Sequence, residues 1–209
     1  QTTTPCGLPG IDAARRNRLL KDVLRGVSRS FYLTLRILPK PLRGPIGLAY
    51  LLARTADTIA DRRQARSTGA RLEALVAFRA QVAGPVDSGV LEDITSNSLD
   101  SESSREEQAL FESLVDSFAL LESLDAADQE QVRRVVITLT KGMEMYLTVF
   151  PDADSGALAA LPNAADLDRY TYLVAGCVGE FWTAVTAAHT PSLKGLDLAE
   201  MSELGGRFG

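Results

Sequence analysis

Residues 42–63 read LRGPIGLAYLLARTADTIADRR, a stretch that is apolar almost throughout apart from one regularly spaced polar set. Tyr50, Arg54, Asp57 and Asp61 follow one another at intervals of 4, 3 and 4 residues. At about 100° per residue, these positions fall within an arc of roughly 60° on an α-helix. A helix that is apolar on nearly all sides is buried, so this polar stripe must face a cavity, a ligand or partner side chains.

Helical periodicity continues on both sides of this stretch. Residues 11–27 form an amphipathic pattern, and residues 28–38 either continue that helix or form a second one. Pro39 and Pro41 then end one helix and start the next, because proline fits only the first turn. Further helices are predicted at 68–82, 105–124, 127–150 and 165–189, and from residue 197 onward. No alternating run of β-branched residues is present, so we predict an all-α fold forming a single helical domain over residues 1–209.

Residues 84–107 differ from the rest of the chain because they are polar and acidic. They begin with Gly84 and Pro85. This composition predicts a surface loop that leads into a helix. Ser103 or Ser104 is the expected N-cap of that helix, since glutamates follow three residues later.

Composition excludes several classes of protein. The 209 residues are 45% hydrophobic and 23% charged, with a net charge of −5 and no dense basic block. Nucleic acid is therefore not an expected partner. Cys6 and Cys177 fit neither a disulfide framework nor a CxxC metal site, which favours a reducing, cytoplasmic location. The N-terminus does not resemble a signal peptide, and the most apolar stretch, residues 44–56, is too short to span a bilayer.

Asp57 and Asp61 lie one turn apart and point the same way, so they can share a hard cation through oxygen. Mg²⁺ takes one or two protein carboxylates and completes its shell with water and phosphate oxygens. An Asp-x-x-x-Asp pair on a buried helix therefore suits a metal–diphosphate site. The alternative is an internal salt bridge from Arg54 to either carboxylate, with no ligand.

Two other segments have the same kind of ambiguity. Ser28-Arg-Ser-Phe31 lies where two helical segments meet, which suits a phosphate cradle but also suits an ordinary N-cap serine with a solvated arginine. Tyr170-Thr-Tyr-Leu-Val-Ala-Gly-Cys-Val-Gly-Glu180 combines aromatic and small residues. Its glycines indicate either a ligand beside the backbone or close helix packing, and Phe181 and Trp182 suit either a tunnel wall or the core.

In combination, these three segments resemble the squalene/phytoene synthase family of head-to-head prenyl transferases. The resemblance covers about residues 20–209 and implies an isoprenoid-synthase-type helical bundle around a central cavity. It further implies that two farnesyl diphosphates condense to presqualene diphosphate or squalene, with Mg²⁺ helping the diphosphate to leave and NADPH reducing the intermediate in squalene synthases. The implied enzyme is a transferase of isoprenoid biosynthesis.

Residue roles follow from the same resemblance. The implied metal ligands are Asp57 and Asp61. The implied catalytic residues are Tyr50, Arg54 and Tyr170. The implied substrate-binding residues are Ser28, Arg29, Ser30, Phe31, Val174 and Gly179. The motif Asp57-Thr-Ile-Ala-Asp61 is closer to the squalene type than to the phytoene type.

This sequence departs from the family pattern in two places. Ala60 stands where many squalene synthases carry a third acid. The family's second acidic motif is not found in residues 1–209, and we expect the chain to be truncated before it. A phytoene-type synthase using geranylgeranyl diphosphate, a non-catalytic prenyl-diphosphate binder and a helical interaction protein stay open as alternatives. So do peripheral membrane contact and a homodimer.

Overall fold

The computed structural model describes residues 8, 10–61, 67–151, 155–193 and 195–209, and of Arg29 it describes the backbone alone. The helices are α1 (Ala13–Asn17), α2 (Leu24–Val27), α3 (Arg29–Ile37), α4 (Lys40–Asp61), α5 (Thr68–Ala83), α6 (Ser88–Ser98), α7 (Arg105–Glu112), α8 (Leu114–Ser123), α9 (Ala126–Val149), α10 (Ala164–Thr171), α11 (Cys177–His189) and α12 (Leu198–Phe208). Short π-helical segments, Arg18–Val23 and Tyr172–Gly176, join α1 to α2 and α10 to α11. These ranges contain no strand, which confirms the all-α prediction.

The first helices are separated where the sequence predicted breaks. Ser28 leaves the helical conformation (φ −141°, ψ 40°), so residues 28–38 form a helix of their own rather than an extension of α2. Leu38 is extended (φ −65°, ψ 152°), and α4 starts again at Lys40. Pro41 occupies the first turn of α4, where a missing amide leaves no hydrogen bond unmade.

The prediction of a surface loop over residues 84–107 is wrong for its central part, because Ser88–Ser98 form α6. Asp87 caps this helix by accepting hydrogen bonds from two N–H groups of its first turn. Leu91 and Ile94, one turn apart, are buried against the core. A short apolar stripe among many polar residues was therefore enough to order the segment.

The N-cap of α7 is Ser104, one of the two serines considered. Its hydroxyl accepts from the N–H of Glu107, and the Glu107 carboxylate accepts from the N–H of Ser104, which completes a capping box. The single helix predicted over residues 105–124 is two helices, because Ser113 (φ −95°, ψ 9°) separates α7 from α8.

Helix α4 lies at the centre of the core and contacts α5, α9 and α11. Its aliphatic side chains from Leu42 to Ala60 are buried, except for the half-buried Ala53. A Cβ added to Gly47 would lie 2.9 Å from a methyl group of Leu20, so this glycine allows the N-terminal helices to pack closely against α4. The burial confirms that the polar stripe is the part of α4 that faces a cavity or a partner side chain.

Helices α10 and α11 run on without a break through the π-helical segment, as the single helix predicted over 165–189 requires. This segment lies against α9 at Gly142, where an added Cβ would approach Val174 Cγ1 to 2.7 Å. The close approach turns the Val174 side chain toward α9. Helix α12 then packs on α11, and no residue of α12 is fully buried. Among the described helices, none is both long and apolar enough to cross a bilayer.

Candidate functional site

The acidic end of the polar stripe opens into a cavity of about 280 Å³, which we call the acidic cavity. Helix α4 contributes two carboxylates to its wall, and α9 and the α10–α11 segment contribute the rest. Its lining residues are Asp57, Ala60, Asp61, Leu139, Met143, Tyr146, Tyr170 and Val174. Two carboxylates therefore share one cavity with two phenol rings and an apolar floor.

The salt bridge left open by the sequence is present in the structure. Arg54 Nη1 donates to Asp57 Oδ2 at 2.6 Å, yet the side chains of Arg54 and Asp57 are 39% and 42% exposed. The bridge therefore lies at a solvent-accessible wall and contributes little to stability. The Nε of Arg54 is enclosed and has no hydrogen-bond partner among the described residues.

Burial raises the pKa of Asp57 above its ordinary value of 3.8, and the negative charge of Asp61 raises it further. The charge and the hydrogen bond of Arg54 offset part of this effect. A carboxylate whose charge is destabilised by a neighbouring carboxylate suits a shared divalent cation, which removes the repulsion and prefers oxygen ligands. The donor set of Asp57 and Asp61 therefore fits Mg²⁺.

A second cavity, of about 170 Å³, is almost wholly apolar; we call it the apolar cavity. Its lining residues are Phe31, Ile46, Ala49, Tyr50, Ala53, Val135, Leu139, Val178, Phe181 and Trp182. Leu139 on α9 lines both cavities. The wall that α4 presents thus changes from apolar at Ile46 to acidic at Asp61, over about 22 Å of helix at 1.5 Å per residue.

Tyr50 joins α4 to the Ser28–Phe31 segment. Its ring stacks on Phe31 with centroids 4.5 Å apart, and its hydroxyl donates to the Val27 carbonyl at 3.4 Å. Burial raises the pKa of Tyr50, while the charge of Arg54 and a hydrogen bond with Ser28 offset part of the rise. Tyr50 therefore remains protonated at neutral pH and is a donor rather than an anion.

The Ser28–Phe31 segment reaches the site mainly through its aromatic residue. Phe31 lines the apolar cavity. The Ser28 hydroxyl is buried and donates to the Leu24 carbonyl at 2.6 Å, so it does not act as the N-cap acceptor that the alternative interpretation required. Ser30 is exposed, and the side chain of Arg29 lies outside the described residues.

Of the predicted residues on the later helices, Tyr170 and Val174 line the acidic cavity, whereas Gly179 does not lie in the lining of either cavity. Gly179 faces α12 instead. A Cβ added to Gly179 would lie 1.8 Å from the Gly205 carbonyl oxygen. Close helix packing, the alternative considered for the glycines, therefore accounts for Gly179.

Sequence reasoning missed the contribution of α9. The Phe150 ring contacts the tilted rings of Tyr146 and Tyr170, at centroid distances of 5.6 and 5.9 Å. Met143 and Leu139 on α9 line the acidic cavity together with Tyr146. The apolar residues of α9 follow ordinary core spacing, and nothing in that spacing distinguishes a cavity wall from a core contact. Only their placement opposite Asp57 shows the difference.

Arg71 is a second residue that the sequence did not single out. Its side chain is almost wholly buried, and it donates to the Ala60 carbonyl and to the Thr68 hydroxyl, each at 2.9 Å. The Ala60 carbonyl belongs to the last turn of α4, where carbonyls lack helical partners. Arg71 therefore fixes the end of α4 that carries Asp61.

A different group of potential metal ligands comprises Asp125, Asp128 and His189. His189 Nε2 already bonds to both Asp128 oxygens, at 2.8 and 2.9 Å, and Asp125 caps α9 by accepting from the Asp128 N–H. The Asp128 and His189 side chains satisfy one another and Asp125 is the helix cap, so we interpret the group as a structural link between α9 and the end of α11.

Comparison with known proteins identifies the family and the fold. The family model for squalene/phytoene synthases matches residues 24–209. This chain is a member of the squalene/phytoene synthase family. Solved structures of TcSQS in complex with the ligands E5700 and BPH1237 have the same fold, each with a TM-score of 0.65 at 23% identity. The alignments cover 90% of this chain but only 49% and 50% of those chains, so this chain spans about half their length. No curated protein sequence matches the chain.

Proposed function

We propose that this chain carries the prenyl-diphosphate site of an enzyme that condenses two farnesyl diphosphates head to head. The observation that carries the proposal is the succession of two cavities along one face of α4. A carboxylate-lined cavity and an apolar cavity share Leu139 as a wall residue. This arrangement matches a ligand with a charged head and a hydrocarbon tail.

Asp57 and Asp61 are the residues that would hold Mg²⁺, which when bound neutralises the diphosphate and makes it a better leaving group. Arg54, beside Asp57, supplies a positive charge and N–H donors toward the diphosphate oxygens. Tyr50 supplies a protonated hydroxyl on the same face. Arg71 keeps the end of α4 in place, and acts on the site only through that helix.

In the proposed reaction, the allylic C–O bond breaks and its electron pair leaves with the diphosphate. The double bond of the second prenyl diphosphate attacks the allylic cation, and loss of a proton closes a cyclopropane ring. Tyr170 and Tyr146 present aromatic rings to the acidic cavity. Such rings stabilise a cation without trapping it as a strong nucleophile would. The apolar wall also keeps water, the competing nucleophile, away from the cation.

Two features support farnesyl diphosphate over geranylgeranyl diphosphate. The motif Asp57-Thr-Ile-Ala-Asp61 is closer to the squalene type, and the bulky rings of Phe181 and Trp182 in the lining limit the apolar cavity to about 170 Å³. No NADPH site is identified among the described residues. The turnover assay below therefore includes reactions with and without NADPH.

Binding is the first test, because it does not depend on turnover. Titration calorimetry with farnesyl thiolodiphosphate, an analogue that resists ionisation, should show binding that requires Mg²⁺. Asp57→Asn and Asp61→Asn should each weaken it by about tenfold or more, because loss of a metal contact or charge-assisted hydrogen bond removes about 1.4 kcal/mol or more. Asp168→Asn, at an exposed position on α10, is the matched control and should bind as the wild type does. Metal-independent binding, or equal affinity in all variants, would refute the site.

Turnover is the second test. The chain is incubated with Mg²⁺ and either farnesyl or geranylgeranyl diphosphate, with and without NADPH, and the extracted products are identified by mass spectrometry. A C30 product supports the proposal, and a C40 product would reassign the enzyme to the phytoene type. Binding without any product, both from this chain and from a version extended beyond residue 209, would identify a prenyl-diphosphate binder and overturn the catalytic part of the proposal.

A further inference from the structure

One segment of the chain has no acidic residue at all. Between positions 23 and 56 there is neither aspartate nor glutamate, although the whole chain has 27 acidic and 22 basic residues. The basic residues in this segment are Arg25, Arg29, Arg36, Lys40, Arg43 and Arg54. A protein with a net charge of −5 therefore has a locally positive region around α3.

Helix α3 in this segment is apolar on two opposite faces. Leu35 is only 4% exposed and packs in the core. Leu33 and Ile37, about 160° away from Leu35 around the helix, are 62% and 82% exposed. A surface helix normally has a single apolar stripe directed at the core. The second stripe of α3 is not accounted for by folding.

Basic side chains accompany the outer stripe. Arg36 is exposed next to Ile37, and Lys40 follows at the start of α4. Neither forms an ion pair within the part of the chain that the structure describes. Exposed aliphatic residues flanked by unpaired bases are typical of helices that lie at the interface of an anionic membrane.

The proposed site lies on the inner side of the same helix, opposite the outer stripe. Phe31, on the same helix, lines the apolar cavity and stacks on Tyr50. A surface that holds α3 against a membrane would therefore hold the apolar cavity close to it.

From these observations we infer that the outer face of α3, formed by Leu33 and Ile37 and flanked by Arg36 and Lys40, docks on an anionic lipid bilayer. The aliphatic side chains enter the interface, and the basic side chains contact lipid phosphates. The inference rests on and extends the proposed function, because prenyl substrates and hydrocarbon products both partition into lipid. Its test does not require turnover.

The test is vesicle flotation with the purified chain. We expect partition onto phosphatidylcholine vesicles that contain phosphatidylglycerol, weaker partition onto phosphatidylcholine alone, and loss of partition at high salt. The double variant Leu33→Ser/Ile37→Ser should lower the partition coefficient about tenfold or more, since two aliphatic side chains no longer enter the interface. Arg36→Ser/Lys40→Ser should remove most of the preference for phosphatidylglycerol.

The matched control is Leu158→Ser/Leu167→Ser, which removes two exposed leucines elsewhere in the chain and should leave partition unchanged. The inference would be overturned if Leu33→Ser/Ile37→Ser lowers partition no more than the control Leu158→Ser/Leu167→Ser does. It would also be overturned if Leu33→Ser/Ile37→Ser leaves partition unchanged. If sedimentation shows a wild-type dimer that only Leu33→Ser/Ile37→Ser dissociates, the face is an interface between copies and the membrane assignment fails. Vesicle binding without Mg²⁺-dependent ligand binding would refute the proposed function alone.

Discussion

Replacing Gly179 by alanine tests the packing of α12 on α11 with a single methyl group. The added Cβ would lie 1.8 Å from the carbonyl oxygen of Gly205, 2.3 Å from its carbonyl carbon and 3.0 Å from its Cα. These atoms are backbone, so no side-chain rotation can make room. A normal carbon–oxygen contact is longer than about 3 Å, and the helices must therefore separate by more than about 1 Å or α12 must detach.

The size of the effect follows from what that separation disrupts. Overpacking of a tight contact destabilises proteins by about 1–3 kcal/mol. Alanine's better helix propensity returns up to about 1 kcal/mol. Because no residue of α12 is fully buried, detachment of α12 would cost little free energy, and this sets an upper limit to the destabilisation. We therefore expect Gly179→Ala to lower the free energy of unfolding by about 1–2 kcal/mol. Urea denaturation followed by circular dichroism measures the change, and hydrogen exchange should show faster exchange in α12.

Gly69→Ala is the control for this experiment. Gly69 lies in the first turn of α5, and an added Cβ would have no atom within 4 Å. This substitution should leave stability unchanged or raise it by less than about 1 kcal/mol. If Gly179→Ala is as stable as Gly69→Ala and α12 exchanges at the wild-type rate, then α12 does not pack on α11 as described.

Other predictions concern the site itself. The pKa of Asp57 is raised in the folded state, so the folded protein binds this proton more tightly than the unfolded chain does. Stability then falls as pH rises above the ordinary carboxyl pKa, and Asp57→Asn should flatten that fall in pH-dependent melting while it weakens Mg²⁺-dependent ligand binding. Leu139→Trp places a bulky ring at the residue that lines both cavities. Farnesyl thiolodiphosphate should then bind at least about tenfold more weakly, whereas inorganic diphosphate should bind as before. Equal effects on the two ligands would contradict a prenyl chain that passes Leu139. Burial raises the pKa of Cys177 to about 11, so iodoacetamide should label this thiol at neutral pH far more slowly in the folded than in the urea-unfolded chain, as peptide mass spectrometry would show.

Much of the fold and part of the site were predictable because they rest on local rules. The intervals among Tyr50, Arg54, Asp57 and Asp61 fixed one polar face on a buried helix, and the structure places that face at two cavities. The break near Pro39 followed from proline's missing amide. The capping box at Ser104 followed from the glutamate three residues later.

Other features depend on tertiary contacts that a local pattern does not contain. Helix α6 is ordered by Leu91 and Ile94 meeting the core, although most of its residues are polar. Tyr146 lies near Tyr170 only because Gly142 lets the π-helical segment approach α9. Gly179 was predicted to bind substrate but instead allows α11 to pack against Gly205 of α12. The sequence around Gly179 does not show that its neighbour is another glycine.

The position of the carboxylates within α4 sets the order in which the site can fill. Asp57 and Asp61 lie in the final turns of α4, where the helix dipole is negative, and the last turn contains no basic residue. Without a metal ion, the carboxylates at this end of the helix repel a diphosphate, although Arg54 on Asp57 and Arg71 on the Ala60 carbonyl offset part of the negative charge. In the proposed site, we therefore expect metal and diphosphate to bind with positive cooperativity, each raising the affinity for the other by the same factor. A diphosphate without its metal ion would then bind weakly in the acidic cavity.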